Sequence, residues 1–173
     1  IRRLLAPWLE VIAKLNPRAA LVRYPGSPEI ARQLLRPQDR MIFNELHPVD
    51  NATLAARYGG DPRIAVTMQD AGIAIKTHLP PKERRGLVLI DPAYEAADES
   101  GRVVKMLHDG LRRFATGTYL IWYPIKDQRQ LKRFYNQLAG SSAPKLLRVE
   151  LLVHPADDAS RLSGSGVVIA NPP

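Results

Sequence analysis

The sequence predicts an α/β fold: a doubly wound, mostly parallel sheet that ends in an antiparallel hairpin. Four short apolar runs, Met41–Glu45, Ile64–Thr67, Gly86–Ile90 and Tyr119–Tyr123, are too brief for helices and suit buried strands. Helical patterns alternate with them, which is the signature of βαβ units and parallel pairing. Finally, Lys145–Val153 and Gly166–Ala170 have no helix between them, so they pair as an antiparallel hairpin.

The chain has 173 residues, of which 45% are hydrophobic, enough for one domain with a sizeable core. It contains no cysteine, which excludes disulfides and thiolate metal sites and fits a reducing cytoplasm. No apolar run reaches the roughly 18–20 residues of a membrane span, and no signal peptide is visible. The net charge of +8 favours a polyanionic partner. Four scattered histidines have no metal-ligand spacing, so no metal is expected. The chain opens on Ile1 directly in a helical pattern, as a fragment of a longer protein would.

Leu4, Leu5, Trp8, Leu9, Ile12 and Leu15 recur at helical spacing up to Asn16-Pro17, and a short apolar stretch, Ala19–Tyr24, follows. Ser27 before Pro28 and Glu29 predicts a capped helix over Glu29–Leu35 that Pro37 ends. The strand Met41–Glu45 closes on a carboxylate, and a helix over Asp50–Tyr58 stops at Gly59-Gly60. Ile64–Thr67 is a strand followed by Asp70, and Ala71–His78 is helical. Pro80-Pro81 separates that helix from the strand Gly86–Ile90. Beyond it Val103, Val104, Leu107 and Leu111 share one face of a helix over Arg102–Phe114, and Gly117 precedes the next strand. Asp127 caps a basic helix that runs to Leu138 and stops at Gly140.

Glu45, Asp70 and Asp91 each follow a predicted strand, about one βαβ period apart, so one edge of the sheet should carry all three. Ligands bind at that edge in open α/β sheets, where an acid typically accepts hydrogen bonds from ribose hydroxyls. Acids also favour strand ends simply because they cap the helices that follow. Asp91-Pro92-Ala93-Tyr94 adds a chemical motif: it departs at one position from the Asp/Asn-Pro-Pro-aromatic tetrad of amino-group methyltransferases. The exocyclic amine of adenine is a poor nucleophile because its lone pair is delocalised. Two acceptors on its hydrogens, the Asp91 carboxylate and the Pro92 carbonyl, would favour a pyramidal nitrogen aimed at a methyl donor. Tyr94 could stack on an extruded base. Ala93 keeps both acceptors but loosens the turn. Asn171-Pro172-Pro173 spells the first three letters of the same tetrad, but it lies after the hairpin and is expected only to end the last strand.

With these residues placed, the sequence resembles the RlmJ family of 23S ribosomal RNA adenine-N6 methyltransferases. The strings that carry the resemblance are Arg23-Tyr-Pro-Gly-Ser-Pro28, Glu45-Leu-His-Pro48, Arg85-Gly-Leu-Val-Leu-Ile-Asp-Pro92, Arg113-Phe-Ala-Thr-Gly117, Trp122-Tyr-Pro124 and Asn171-Pro-Pro173. It implies a Rossmann-like, class I methyltransferase fold and S-adenosyl-L-methionine as cofactor. It implies that Ser27, Glu45, Asp70 and Ala71 contact the cofactor, with Glu45 on its ribose and Asp70 and the Ala71 backbone on its adenine. It makes Asp91 the catalytic acid, with Pro92 and Tyr94 beside it. The family usually has glycine at the position of Ala71. Its amino-terminal segment, first strand and glycine loop should precede Ile1, so the chain alone is expected to bind cofactor weakly or not at all. The implied partner is 23S rRNA free of ribosomal proteins, met by a cytoplasmic monomer.

Basic residues cluster at Arg112-Arg113, Lys126, Arg129 and Lys132-Arg133, and again at Lys82, Arg84 and Arg85. Such groups most often form a solvated face; in an RNA-modifying fold they become phosphate contacts whose binding falls steeply with salt. Trp122-Tyr123 could line a base pocket or belong to the core. No nucleophile elbow or Walker loop is present. Two other readings stay open: a DNA adenine methyltransferase, since the tetrad does not distinguish sugars, and a non-catalytic nucleic-acid-binding protein involved in use of external DNA.

Overall fold

The computed structural model describes residues 2–18, 20–95, 98–156 and 159–173. Two compact units divide the chain, Ile1–Asp70 and Ala71–Pro173.

The first unit holds helix α1 (Arg2–Leu15), α2 (Ser27–Leu34), strand β1 (Met41–Asn44), α3 (Pro48–Tyr58) and β2 (Ile64–Thr67). Strands β1 and β2 pair in parallel, Met41 opposite Ile64 through Asn44 opposite Thr67. The apolar stretch after α1 forms no strand, because the Asn16 side chain takes over its backbone. Asn16 Oδ1 accepts from Val22 N (2.8 Å) and Arg23 N (2.9 Å), while Nδ2 donates to Arg23 O (2.7 Å) and Ile12 O (2.9 Å). Ala19, at the start of that stretch, lies outside the described residues.

Helix α2 starts two residues earlier than the sequence predicts. Gly26, with extended φ −76° and ψ 170°, is the N-cap, and Ser27 and Pro28 already occupy the first turn. Ser27 is therefore not the cap, and its hydroxyl makes no hydrogen bond among the described residues. Glu29, in the same turn, is only 3% exposed. Arg32 Nη2 and Gln33 Nε2 each donate to its Oε1 at 2.7 Å, and Arg57 lies 3.9 Å from Oε2. The Arg32 guanidinium, with Gln33 and Tyr58, holds the Glu29 pKa down at about 2.

The second unit contains α4 (Ala71–His78), β3 (Leu87–Ile90), α5 (Glu99–Arg113), β4 (Thr118–Ile125), α6 (Gln128–Ala139), β5 (Leu146–Leu152) and β6 (Gly164–Ala170). Its sheet has the order β3-β4-β6-β5. Strands β3 and β4 are parallel, and β6 runs antiparallel to both β4 and β5, so the expected hairpin forms with its second strand inserted next to β4. Side chains alternate across a strand, and β4 shows it clearly. Tyr119, Ile121, Tyr123 and Ile125 are buried in one cluster with Val103, Leu107 and Leu111 of α5 and Leu131, Phe134 and Leu138 of α6. Each such side chain contributes roughly 1.5–3 kcal/mol of burial.

Two glycines permit this packing. A Cβ on Gly110 of α5 would stand 2.6 Å from the Tyr119 ring, and one on Gly166 of β6 would stand 2.2 Å from the Tyr123 ring. Tyr123 is thus a core residue whose hydroxyl donates to Glu150 Oε1 (2.8 Å), an acceptor shared with the Tyr135 hydroxyl. Among the described residues, no helix is long and apolar enough to cross a membrane.

Candidate active site

In the first unit the acids follow the two parallel strands. Glu45 comes directly after β1 and Asp70 three residues after β2, so both lie at the carboxyl edge of one strand pair. A polar lattice fixes their backbones. Asn44, the last residue of β1, accepts at Oδ1 from Thr67 Oγ1 (2.9 Å) and Gln69 N (3.1 Å), and its Nδ2 donates to Gln69 O (2.9 Å). Asn51 of α3 donates to Thr67 O (2.7 Å) and Glu45 O (3.2 Å), and Glu45 N donates to Thr67 O (3.1 Å). The Glu45 carboxylate accepts from His47 N at 2.8 Å. Beside Asp70, Gln69 Oε1 is buried with no hydrogen-bond partner among the described residues, an acceptor left over after β2.

In the second unit Asp91 directly follows β3, as the strand Leu87–Ile90 and its proline require. It makes no hydrogen bond or ion pair among the described residues. Burial alone pushes its carboxyl above the ordinary carboxylate value. Three residues on, Tyr94 adopts a left-handed backbone, φ 55°, and turns back toward the sheet. Its hydroxyl donates to Trp122 O at 2.7 Å, and its ring meets the Trp122 indole edge-on with centroids 6.0 Å apart. Burial, with the nearby Asp91 charge, pushes the Tyr94 phenol up. Trp122 lies on the half-buried face of β4, opposite to Tyr123. The pair Trp122-Tyr123 therefore divides: one ring supports the tetrad and the other builds the core.

The sequence expectation of three acids on one edge separates into two placements: Glu45 and Asp70 at the paired ends of β1 and β2, and Asp91 at the end of β3 in the other sheet. Ala71 opens α4 and is exposed. The second tetrad-like string is settled by register. Strand β6 runs antiparallel to β4 with Ala170 opposite Tyr119, so Asn171 sits beside the start of β4, whereas Asp91 leaves the end of its parallel neighbour β3. There Asn171 is a latch. Its Nδ2 donates to Ala115 O (2.8 Å) and Gly117 O (3.0 Å), and its carbonyl accepts from Thr118 Oγ1 (3.0 Å). Sequence reasoning missed Asn44 and Asn51, since an asparagine at a strand end or within a helix has no signature until its partner strand is in place.

A family model described as "RsmJ: Ribosomal RNA large subunit methyltransferase D, RlmJ" matches residues 1–173. The chain belongs to this family. It is 45% identical over 170 residues to the Ribosomal RNA large subunit methyltransferase J of Haemophilus influenzae, covering 98% of this chain and 60% of the relative. A crystal structure of a Legionella pneumophila protein superimposes with a TM-score of 0.91 at 32% identity, over 100% of this chain and 64% of that one. The chain thus spans about three fifths of the length of the curated relatives it matches. More distantly, Aeropyrum pernix fibrillarin, solved with natively bound S-adenosyl-L-methionine, matches with a TM-score of 0.56 at 15% identity over 83% of this chain and 61% of that one, a likeness of fold alone. The RlmJ-family chain has the α/β, class I methyltransferase architecture, with its last strand pair antiparallel.

The donor set fits an S-adenosylmethionine-type ligand. Glu45 and Asp70 offer carboxylate acceptors, the chemistry that ribose hydroxyls and an adenine amine call for, at the edge where nucleotides bind parallel sheets. The Ser27 hydroxyl is not used in capping, and an unsatisfied Gln69 acceptor lies next to Asp70.

Proposed function

We propose that the full-length protein carries out S-adenosylmethionine-dependent methylation of the exocyclic N6 amine of an adenine in 23S rRNA, with this chain serving in it as a single methyltransferase domain that is inactive alone. The observation that carries this reading is the Asp91 carboxylate. It stands at the end of β3, followed by Pro92 and Tyr94, with no partner among the described residues, in a member of the RlmJ family. A carboxylate with free lone pairs beside a proline carbonyl is what an incoming amine needs.

S-adenosylmethionine, when bound, supplies an electrophilic methyl group. Glu45 would hold its ribose, Asp70 and the Ala71 backbone its adenine, and the Ser27 hydroxyl would donate to it. Asp91 and the Pro92 carbonyl would accept the two hydrogens of the adenine amine, turning the nitrogen lone pair toward the donor. Placement and electrostatics do this work, since the acceptors are aimed before reaction. Tyr94, held by Trp122 through hydrogen bond and ring edge, would give the flipped base a rigid stacking surface at little entropic cost. The net charge of +8 suits an RNA partner, and the proposed setting is rRNA free of ribosomal proteins met by a cytoplasmic monomer.

Incubation of the full-length protein with methyl-labelled S-adenosylmethionine and unmodified, protein-free 23S rRNA tests the reading. Label on adenine N6 with the wild type, and none with Asp91→Ala, is expected. RNA binding without transfer by the wild type would overturn it in favour of a non-catalytic binder.

A further inference from the structure

Helices α5 and α6 pack side by side on one face of the second unit's sheet, and they treat their cations differently. On α5, Arg102 lies 3.4 Å from Glu99 and Lys105 lies 2.9 Å from Asp109, while Arg112 and Arg113 occupy the last turn, where the helix dipole favours positive charge. Helix α6 has no acidic residue at all. Its apolar stripe, Leu131, Phe134 and Leu138, is buried, and Arg129, Lys132 and Arg133 project from the exposed side, with Lys126 just before the helix. None of these four forms an ion pair among the described residues. Asp127, the acid nearest in sequence, is occupied as the N-cap, accepting from Arg129 N (2.7 Å) and Gln130 N (3.4 Å). The charges thus stand toward the helix start, where the dipole disfavours them, and its last turn has none. Folding stability does not account for that distribution.

The position of α6 does. Strand β4 runs parallel to β3 and continues for four residues past Ile121, the partner of Ile90, so Lys126 follows on the same carboxyl side as Asp91, roughly 13 Å further along the strand direction. The unpaired cations therefore begin beyond the tetrad on its own carboxyl side and continue for about one helical turn, a spacing of roughly 5 Å between successive rows. We propose that Lys126, Arg129, Lys132 and Arg133 form a track for the phosphate backbone of the RNA that flanks the target adenine. This rests on the methyltransferase reading and extends it to how the substrate is held. The cations at Lys82, Arg84 and Arg85 precede β3 and so stand at the opposite end of the same strand, where they serve no such purpose.

That opposition supplies the control. Full-length wild type, the triple variant R129Q/K132Q/R133Q and the triple variant K82Q/R84Q/R85Q lose equal charge in the two mutant forms. Each is titrated with a 23S rRNA fragment containing the unmodified adenine, over a range of salt. The α6 triple is expected to weaken binding tenfold to hundredfold near 0.1 M salt, and to lower the slope of log K against log salt by about 2. It should raise KM for RNA while leaving kcat, cofactor affinity and the thermal midpoint near wild type. The control triple should change affinity by less than about threefold. Restoring charge as R129K/K132/R133K should recover most of the binding. Equal losses from both triples, or no loss from α6, would overturn the track while a methylating wild type keeps the function. Conversely, RNA binding that depends on α6 in a protein that transfers no methyl group would keep the track and remove the function.

Discussion

The carboxylates of the two units are held in opposite ways. Hydrogen bonds from Asn44, Asn51, Thr67 and His47 tie down the chain on both sides of Glu45 and in the residues just before Asp70. Asp91 has a strand behind it and a proline after it, and its carboxylate has no partner among the described residues. A group that must grip a ligand in one geometry gains from a rigid surround, because ordering has been completed before binding. A group that must accept hydrogens from a reacting amine gains from unspent lone pairs and partial desolvation, which strengthens its interactions. Glu29 marks a third case: fully satisfied, buried, and with no capacity left for a ligand.

The largest break in this comparison comes from Asp91→Asn, which should lower methyl transfer by about two to three orders of magnitude with little change in cofactor affinity. Its effect on stability has the opposite sign. Burial raises the folded-state pKa of Asp91, so its favourable contribution is complete only below the ordinary carboxylate value and is lost as pH rises through the raised one. At neutral pH the variant should melt at or slightly above the wild-type midpoint, and the acid limb of the methyl-transfer rate should lie above pH 3.8, the unperturbed value. A fall in the midpoint would show that Asp91 has a stabilising partner after all.

Glu29→Gln should cost stability of about 3 kcal/mol at neutral pH, seen in denaturant unfolding. The lowered pKa sets the sign: the contribution is present above about 4.5 and is lost as pH falls toward 2. The wild-type advantage over the variant should therefore vanish across that window. Smaller still, Glu45→Ala should weaken S-adenosylhomocysteine binding tenfold to about a hundredfold by calorimetry, in line with roughly 1.5–3 kcal/mol for a hydrogen bond to a charged group, while kcat at saturating cofactor stays near wild type. Asn44→Ala should reproduce part of that loss without touching the ligand, and Asn44→Asp, which keeps the acceptor for Thr67 and Gln69, should recover some of it. The smallest effect is expected from Ala93→Pro. Stiffening the turn between Asp91 and Tyr94 should add about 0.4–1 kcal/mol of stability and change kcat no more than a few-fold, measured by thermal unfolding and methyl transfer.

Much of the fold was legible because its signals are local. The runs Ile64–Thr67 and Leu87–Ile90 are strands as expected, Ala71–His78 is a helix with the expected bounds, and Asp127 caps α6 as its spacing implies. Asp91 falls at a strand end because a proline after an apolar run leaves it nowhere else. Ser27 was misplaced as a cap because Ser-Pro and Gly-Ser-Pro both satisfy the start of a helix, and only the backbone angles at Gly26 choose between them. The stretch after α1 reads only as apolar, and the Asn16 amide claims its backbone groups.

By itself the sequence determined the strand-helix succession, the tetrad at Asp91 and the family to which the chain belongs, since periodicity, turn residues and motif strings are all properties of neighbours along the chain. Tertiary structure alone decided that Tyr94 leans on Trp122, that Tyr123 is core, that Asn44 and Asn51 secure the backbone around Glu45, and that Asn171 latches the wrong end of β4 to be catalytic. Each of these is a contact between residues 16 to 56 positions apart or a consequence of strand direction. Hydrogen bonds and packing at that range depend on which strands pair and in what register, and composition and spacing do not contain that choice.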